Sequence, residues 1–320
     1  MKFKPIIIIA GEPRSIFFEI FFKSLNAEKY TSPIILIASK KDFFHQMKKF
    51  RFNKKINLIS LSNKAILKYS KTKINIIDVP LKNYSKYKKI SKISKNYIEK
   101  CFEIALDLIS KNISNKLING PISKKYFLNK KFLGITEYLA KKTKTKKYAM
   151  LIYNEKLSVS PITTHLPLKL VTKKINQNII KEKIMLIQKF YKMKFNFDPK
   201  IAITCINPHC ETIDSINKDE KVVTPIVKKL KKNKLNIFGP FSADTIFLKQ
   251  NRKNFDVILG MYHDQVLTPF KTLFEYDAIN ITLGLPFIRI SPDHGPNEKM
   301  FGKNLSNPLS LIKALKFLDY

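Results

Sequence analysis

Three of the five histidines stand just after apolar runs that have the composition of buried strands. His165 lies past one such run, His209 follows the run ending at Ile206, and His263 follows the run ending at Met261. They are 44 and 54 residues apart, too far for a local finger-type site and suited to a site assembled from different strand ends. Three neutral imidazoles with an open coordination position are a catalytic arrangement for a divalent metal such as zinc. We therefore predict a metal site here, while spacing alone leaves open that each histidine packs or caps locally.

Two neighbouring groups admit more than one interpretation. His294 lies in the turn-rich segment 291–296, where an Asp-His pair either contacts a ligand or caps a turn. Cys210 is adjacent to His209, but neighbouring side chains on an extended segment point apart, so we do not expect a fourth metal ligand there. The chain has no GxGxxG motif and no Walker loop, so a standard Rossmann or P-loop site is not supported.

These residues must be positioned by apolar, β-rich runs that alternate with helical patterns along the whole chain. Such alternation predicts an α/β protein with helices on both faces of a largely parallel sheet and chemistry at the carboxyl ends of its strands. The predicted strands are Pro5–Ala10, Pro33–Ala38, Ile74–Val79, Lys116–Ile118, Ala149–Tyr153, Lys200–Ile206, Phe255–Met261 and Ile279–Leu283. The predicted helices are Ser15–Leu25, Lys89–Ser110, Ile175–Tyr191, Lys218–Lys232 and Pro308–Leu318.

The composition limits the classes of partner. The 320 residues carry 60 Lys+Arg against 24 Asp+Glu, a formal charge of +36, yet only four of the basic residues are arginine. Nucleic-acid binders usually use arginine for bidentate contacts, so we expect a solvated lysine surface and no nucleic-acid partner. A hydrophobic fraction of 44% excludes a disordered chain, and three cysteines form no disulfide framework. With no apolar run long enough to span a membrane, the expectation is a soluble cytoplasmic protein without membrane contacts.

Motifs distributed along the whole chain resemble those of one enzyme family, the 4-hydroxythreonine-4-phosphate dehydrogenases of pyridoxal phosphate biosynthesis. Their order and spacing are highly specific. The matching segments are Gly11–Pro13 with Glu19, Asn119–Lys124, Gly134–Glu137, Thr163–Leu168, Asn207–His209, Gly239–Pro240 with Ala243–Thr245, Met261–Gln265, Asn280–Arg289 and the Asp293-His294-Gly295 turn.

The resemblance implies a two-domain α/β fold related to the isocitrate and isopropylmalate dehydrogenases. We expect residues 1–128 plus 285–320 to form the first domain and residues 129–284 the second, which carries most metal and substrate ligands. The active site is expected in the cleft between the domains of a homodimer, with residues from both subunits. The metal ligands of the family fall on His165, His209 and His263, and its substrate contacts fall on Thr136, Lys271, Asn280 and Arg289.

The implied reaction is metal-assisted oxidation of 4-phosphooxy-L-threonine by NAD or NADP, followed by decarboxylation to 3-amino-2-oxopropyl phosphate. Zinc is the expected metal, with magnesium or cobalt as alternatives. Asp244 and Asp264 are candidates for the catalytic site because carboxylates commonly orient metal-bound imidazoles or substrate. We expect Asp293, His294 and Gly295 to contact the cofactor.

Several positions depart from the family pattern at the predicted site. Ile135 stands where the family has a substrate-contacting histidine, and Cys210 opens a loop that is glycine-rich in the family. Val266 replaces a glycine after the His-Asp-Gln motif. These changes leave two alternatives open: a dehydrogenase of threonate or erythronate 4-phosphate, and a catalytically silent paralogue that binds phosphorylated metabolites or nucleic acid.

Overall fold

The computed structural model describes residues 3–60, 68–81, 90–128, 131–211, 217–292 and 294–319. The chain forms two compact units, Met1–Ile135 with Pro286–Tyr320, and Thr136–Leu285. From the sequence, we expected the chain to pass between the two domains at residues 128/129 and 284/285. In the structure it passes between the two units at residues 135/136 and 285/286. In the described part of the chain, no helix is long and apolar enough to cross a membrane.

The described strands and helices alternate as expected of an α/β protein. The strands are β1 (Ile6–Ile9), β2 (Ile34–Ala38), β3 (Ile56–Ile59), β4 (Ile74–Asp78), β5 (Lys116–Asn119), β6 (Ala149–Tyr153), β7 (Ser158–Thr163), β8 (Ile201–Thr204), β9 (Ile237–Phe241), β10 (Val257–Tyr262), β11 (Ile279–Leu283) and β12 (Ile288–Pro292). The α-helices are α1 (Phe17–Ala27), α2 (Lys40–Lys49), α3 (Lys95–Ser110), α4 (Ile135–Lys142), α5 (Leu168–Lys174), α6 (Gln177–Phe195), α7 (Thr224–Lys232), α8 (Ala243–Ile246), α9 (Lys249–Arg252), α10 (His263–Phe274) and α11 (Leu309–Leu318).

The first unit contains a parallel sheet in the order β3-β4-β2-β1-β5-β12. Its central strand β1 is four consecutive isoleucines, all fully buried, as is typical of a parallel strand covered on both faces. The ends of β1 and β5 approach closely, because a Cβ on Gly120 would lie 2.3 Å from the carbonyl oxygen of Ala10. The Glu12 N–H also donates to the carbonyl of Pro121 at 2.9 Å. The loops that follow β1 and β5 are therefore hydrogen-bonded to each other.

The second unit contains strands in the order β11-β6-β7-β10-β8-β9. The β11–β6 and β6–β7 pairs are antiparallel, whereas β7, β10, β8 and β9 run parallel. Its core includes the buried side chains of Ile152, Val159, Ile258 and Phe270. The parallel half of the sheet therefore presents several strand ends at one edge.

The predicted α/β class is confirmed, and the predicted strands and four of the five predicted helices lie within a few residues of observed elements. The fifth helix was predicted over Lys89–Ser110; α3 begins at Lys95, and Lys89 lies outside the described residues. One strand is shorter than expected: Lys200–Ile206 was predicted, and β8 ends at Thr204. The chain leaves the sheet there because the buried Asp219 carboxylate accepts from the N–H of Ile206 at 2.7 Å and of Asn207 at 3.0 Å. Among the described elements, four strands and six helices were not predicted, namely β3, β7, β9, β12, α2, α4, α5, α8, α9 and α10.

Candidate active site

The three predicted metal ligands all follow neighbouring parallel strands of the second unit. Strand β10 lies between β7 and β8, with Tyr262 beside Thr163 and Leu259 beside Ile203. His165 comes two residues after β7, His263 directly after β10, and His209 shortly after β8. Because the carboxyl ends of parallel strands meet at the same edge, the topology puts all three histidines on one edge of one sheet.

His165 and His263 lie together. Their ring centroids are 5.5 Å apart with an angle of 38° between the ring planes. The Nδ1 of His263 is 2.6 Å from Oδ1 of Asp264, whose side chain is 80% exposed. A carboxylate on one ring nitrogen fixes the orientation of an imidazole and leaves its other nitrogen for a ligand. Asp264 is thus placed as a partner of His263.

His209 lies on a tight turn, Pro208–Cys210, and is exposed. The backbone φ of His209 is 55° and that of Cys210 is 63°, both in the left-handed region that non-glycine residues rarely adopt. The expectation of an extended segment at these two residues is therefore wrong. The N–H of His209 donates to Oγ of Ser242 at 3.1 Å, which connects the turn to the residue preceding α8.

Cys210 contacts a second thiol. Its side chain hydrogen-bonds with that of Cys205, and Cys205 Sγ also donates to the carbonyl of Phe241 at 3.2 Å. Burial raises the pKa of the Cys205 thiol well above its ordinary value, and burial also raises the pKa of the Cys210 thiol. The expectation that Cys210 is not a fourth metal ligand stays a prediction.

The donor set fits a divalent metal in its chemistry, since neutral imidazoles are preferred ligands of zinc and cobalt. The His165–His263 pair also fits in its proximity. Among the residues that the structure describes, however, no three or more His, Cys, Asp or Glu side chains are grouped closely enough to hold a metal ion. The three-histidine site stays a prediction, with two of its ligands adjacent and the third on the neighbouring strand end.

Two carboxylates that were given no role in the sequence interpretation hold the histidine-bearing loops. Asp219, 1% exposed, accepts from the N–H groups of Ile206 and Asn207 and, at 2.9 Å, from the Asn207 side chain. Glu137 Oε1 accepts from Oγ1 of Thr164 at 3.3 Å, next to His165, while its buried Oε2 has no hydrogen-bond partner in the part of the chain that the structure describes. The Gly-Ile-Thr-Glu motif pointed to Glu137, but no signal in the sequence pairs Asp219 with a loop twelve residues upstream.

The predicted substrate residues fall in both units. In the second unit, Thr136 is buried with its Oγ1 3.1 Å from Oγ1 of Thr282, and Lys271 is exposed on α10. The buried Oδ1 of Asn280 has no hydrogen-bond partner among the described residues, the kind of polar atom that a bound ligand can satisfy. In the first unit, Arg289 is 3% exposed.

The Arg289 guanidinium makes a contact within the first unit. Its Nε donates to Oδ1 of Asn119 at 2.7 Å, which ties β12 to the end of β5. Asn119 in turn donates from Nδ2 to the carbonyl of Gly120 at 3.0 Å. The arginine thus supports the β5 loop, and its contact with the substrate stays a prediction.

The remaining predicted residues are peripheral to these contacts. Asp244 lies exposed in the short helix α8. His294, half-buried in the first unit, has Nδ1 3.1 Å from the carbonyl of Gly295, and Gly295 is exposed. Asp293 lies outside the described residues. Their catalytic and cofactor roles stay predictions.

Comparison with known proteins decides the family. The family model described as pyridoxal phosphate biosynthetic protein PdxA matches residues 29–318. A 4-hydroxythreonine-4-phosphate dehydrogenase from Sulfurihydrogenibium sp. is 38% identical over 316 residues, covering 97% of this chain and 96% of the relative. The chain belongs to the PdxA family. The predicted family is therefore confirmed, and the protein is a dehydrogenase of a family that acts in pyridoxal phosphate biosynthesis.

Other PdxA family members agree in fold and broaden the range of named substrates. A crystal structure of 4-hydroxythreonine-4-phosphate dehydrogenase from Klebsiella pneumoniae superimposes with a TM-score of 0.82 at 28% identity, covering 98% of this chain and 97% of that one. A D-threonate 4-phosphate dehydrogenase from Pectobacterium atrosepticum is 30% identical over 318 residues, covering 98% of both chains. Relatives of this chain thus carry names of two substrate classes, a phosphorylated hydroxy amino acid and a phosphorylated sugar acid.

Proposed function

We propose that this PdxA family member oxidises 4-phosphooxy-L-threonine to 2-amino-3-oxo-4-phosphooxybutanoate, which then decarboxylates to 3-amino-2-oxopropyl phosphate. The observation that carries the proposal is the 38% identity, over nearly the whole of both chains, with a protein named 4-hydroxythreonine-4-phosphate dehydrogenase. The match covers 97% of this chain and therefore includes both of its units. We also propose that the protein is a cytoplasmic homodimer with a shared active site. The three free cysteines are compatible with a reducing compartment.

The second unit supplies the residues that would hold a metal. We assign this role to His165, His209 and His263, on the strength of their place on adjacent strand ends and the 5.5 Å separation of the first and last rings. When bound there, a divalent metal ion, zinc in the first place and magnesium or cobalt otherwise, supplies Lewis-acid stabilisation of negative charge on the substrate oxygen. NAD or NADP, when bound, supplies the hydride acceptor.

The chain's own groups then have distinct tasks. Asp264, hydrogen-bonded to His263, orients that imidazole and favours one tautomer. The positive charges of Lys271 and Arg289 complement the negative charges of the substrate's phosphate and carboxylate. Thr136 and Asn280 supply polar atoms. Asp244 is proposed to orient ligands or substrate.

For the cofactor, the proposed contacts are Asp293, His294 and Gly295. At the exposed Gly295, no atom of the described residues outside its chain neighbours lies within 4 Å of a Cβ position, so the backbone there is open to an approaching ligand.

Ile135 is the position that favours a second candidate. It is half-buried as the first residue of α4, adjacent to Thr136, and an aliphatic side chain cannot donate the hydrogen bond of the family histidine. Losing one hydrogen bond to a charged group costs about 1.5–3 kcal/mol. A neighbouring specificity, for D-threonate 4-phosphate or erythronate 4-phosphate, is supported by the 30% identity with a D-threonate 4-phosphate dehydrogenase.

The test is NADH formation by metal-loaded protein with 4-phosphooxy-L-threonine, run in parallel with D-threonate 4-phosphate and erythronate 4-phosphate. Preference for the amino acid is the expected result. Turnover of only a sugar-acid phosphate would support the second specificity. No NADH formation with any of the three substrates, in protein that has bound metal, would support a catalytically silent paralogue. Ile135→His serves as the matched variant, because restoring the donor should raise the rate on the true substrate.

A further inference from the structure

The side-chain amide of Gln265 connects the ends of two strands that lead to predicted metal ligands. Its Oε1 accepts from the N–H of Met261 at 2.7 Å and from Oγ1 of Thr204 at 2.8 Å. Its Nε2 donates to the carbonyl of Cys205 at 2.7 Å. One amide therefore joins the end of β10 to the end of β8.

The surroundings of this amide fix its orientation. The Met261 N–H can only donate and the Cys205 carbonyl can only accept, so the oxygen and the nitrogen of Gln265 cannot exchange places. A Cβ on Gly260 would lie 3.2 Å from Gln265 Oε1 and 2.3 Å from Cγ1 of Val266, so only glycine leaves room for both side chains. Val266, which departs from the family glycine, is fully buried in the core and packs here.

The residues that this amide joins are close in sequence to two of the predicted metal ligands. Cys205 precedes His209 by four residues, and Gln265 follows His263 by two in the first turn of α10. The separation of the two strand ends therefore limits the positions that the two imidazoles can take. Asp219 holds the intervening N–H groups on the His209 side, so the path from the amide to that turn is itself anchored.

We infer that Gln265 is a positioning residue that sets the separation of His209 and His263 for metal binding. The inference rests on the proposed function, because it requires these histidines to be ligands. Groups outside the first coordination shell of a metal commonly change metal affinity by about 10- to 100-fold when they are substituted.

The test is Co²⁺ binding by the full chain in the wild type and in Gln265→Glu. The glutamate keeps the shape of the side chain and the acceptor for Met261 and Thr204, but it replaces the donor to Cys205 with a second acceptor. We expect Co²⁺ affinity, measured by competition with a chromogenic chelator, to fall about 10- to 100-fold. The visible absorption bands of bound Co²⁺ should also shift, because they report the coordination geometry.

A milder variant and a matched control separate positioning from general destabilisation. Thr204→Val removes one donor to the same amide at a fully buried site, and should weaken Co²⁺ binding in the same direction by less. Asn154→Asp makes the same amide-to-acid change at a 7% exposed amide of the same unit, where Nδ2 donates to the Asp277 carbonyl at 2.6 Å. It should keep wild-type Co²⁺ affinity and spectrum.

The outcomes distinguish this inference from the proposed function. Wild-type affinity and spectrum in both Gln265→Glu and Thr204→Val would overturn the positioning role and leave the metal assignment standing. An equal loss in Asn154→Asp would also overturn it, since the effect would then follow stability. A wild-type protein that binds no Co²⁺ would remove the metal assignment itself and the inference with it.

Discussion

The histidine on the tight turn is the most informative single residue for function. His209 is exposed and held in a left-handed backbone conformation, so its side chain supports no core packing. We predict that His209→Ala abolishes metal binding and turnover while leaving the unfolding midpoint close to that of the wild type. Metal content after dialysis, measured together with NADH formation, checks this.

The control for that substitution is His45→Ala. His45 is exposed on α2 in the first unit, so its loss tests the general effect of removing an imidazole. Full metal content and normal turnover in His209→Ala would contradict the three-histidine site. The same loss in His45→Ala would show that the effect is not specific to the strand-end histidines.

Residue types and spacing indicated the three histidines, the family resemblance indicated the substrate residues, and neither indicated contacts between residues distant in sequence. Three histidines after apolar runs were enough to place the site at strand ends, and Arg289 stood out as one of four arginines. The sequence could not show that Arg289 donates to Asn119, 170 residues away, or that Gln265 joins two strands. Such contacts depend on the order of strands in the sheet, which no local pattern specifies.

At the scale of elements, two of the missed strands, β7 and β9, contain residues that local propensity disfavours. Strand β9 includes Gly239 and Pro240 and lies at the edge of the second unit's strand order, where proline is tolerated. Strand β7 contains two serines and Pro161, yet it is fully buried because Ser160 donates to the Met150 carbonyl and Ser158 accepts from the Tyr191 hydroxyl. These polar groups are satisfied only by tertiary contacts.

Helix α10 was not predicted for a related reason. It contains Pro269 in its interior, a residue that normally ends or kinks a helix because it lacks the N–H donor. Apolar Val266, Leu267 and Phe270 are nevertheless buried against the second unit's core. Burial of this face offsets the lost backbone hydrogen bond, and the sequence pattern alone gives no measure of that burial.

The close approach of β1 and β5 makes a prediction about stability. Gly120→Ala would put a Cβ 2.3 Å from the Ala10 carbonyl oxygen and 2.6 Å from Cδ2 of Phe17, so the backbone must move. We expect the free energy of unfolding to fall by about 1–3 kcal/mol, as for other overpacked sites. Urea unfolding followed by circular dichroism measures it.

The matched control is Gly295→Ala, at an exposed glycine whose added Cβ meets no atom within 4 Å. Its free energy of unfolding should stay within about 0.5 kcal/mol of the wild type. Equal losses in the two variants would indicate a general cost of replacing glycine and would argue against the contact between the β1 and β5 ends.

At the scale of the whole molecule, stability should depend on pH through a buried tyrosine. Burial raises the pKa of Tyr97 well above its ordinary value of 10.0, and its hydroxyl accepts from the Ser39 N–H at 3.0 Å. Above pH 10 the unfolded chain ionises this phenol while the folded chain keeps the proton, so the folded state loses stability as pH rises. Below the unfolded pKa this contribution is fully present.

Tyr97→Phe removes that titration together with one hydrogen bond. At neutral pH the variant should be about 1 kcal/mol less stable than the wild type. At about pH 11 the difference should shrink by about 1 kcal/mol, because only the wild type has lost stability through this group. Urea unfolding at both pH values and equal ionic strength checks this; a difference that does not change with pH would contradict the buried phenol.

The high positive charge does not affect the difference in stability between the wild type and Tyr97→Phe. A formal charge of +36 implies self-repulsion, which weakens as lysines lose their protons at high pH. Tyr97→Phe leaves the lysines unchanged, so the relief is common to both proteins and cancels in the difference. The lysine excess therefore governs solubility and association more than fold.

The interrupted first unit has a consequence for synthesis on the ribosome. Strand β5 ends at Asn119, whereas its neighbour β12 contains Arg289, 170 residues later. At a translation rate of about 5–20 residues per second, the nascent chain waits roughly 10–30 s between the two. During this interval the β5 edge lacks its β12 partner and the amide of Asn119 lacks its arginine. Slow codons between these strands would prolong the exposure of that edge to other chains, including chaperones.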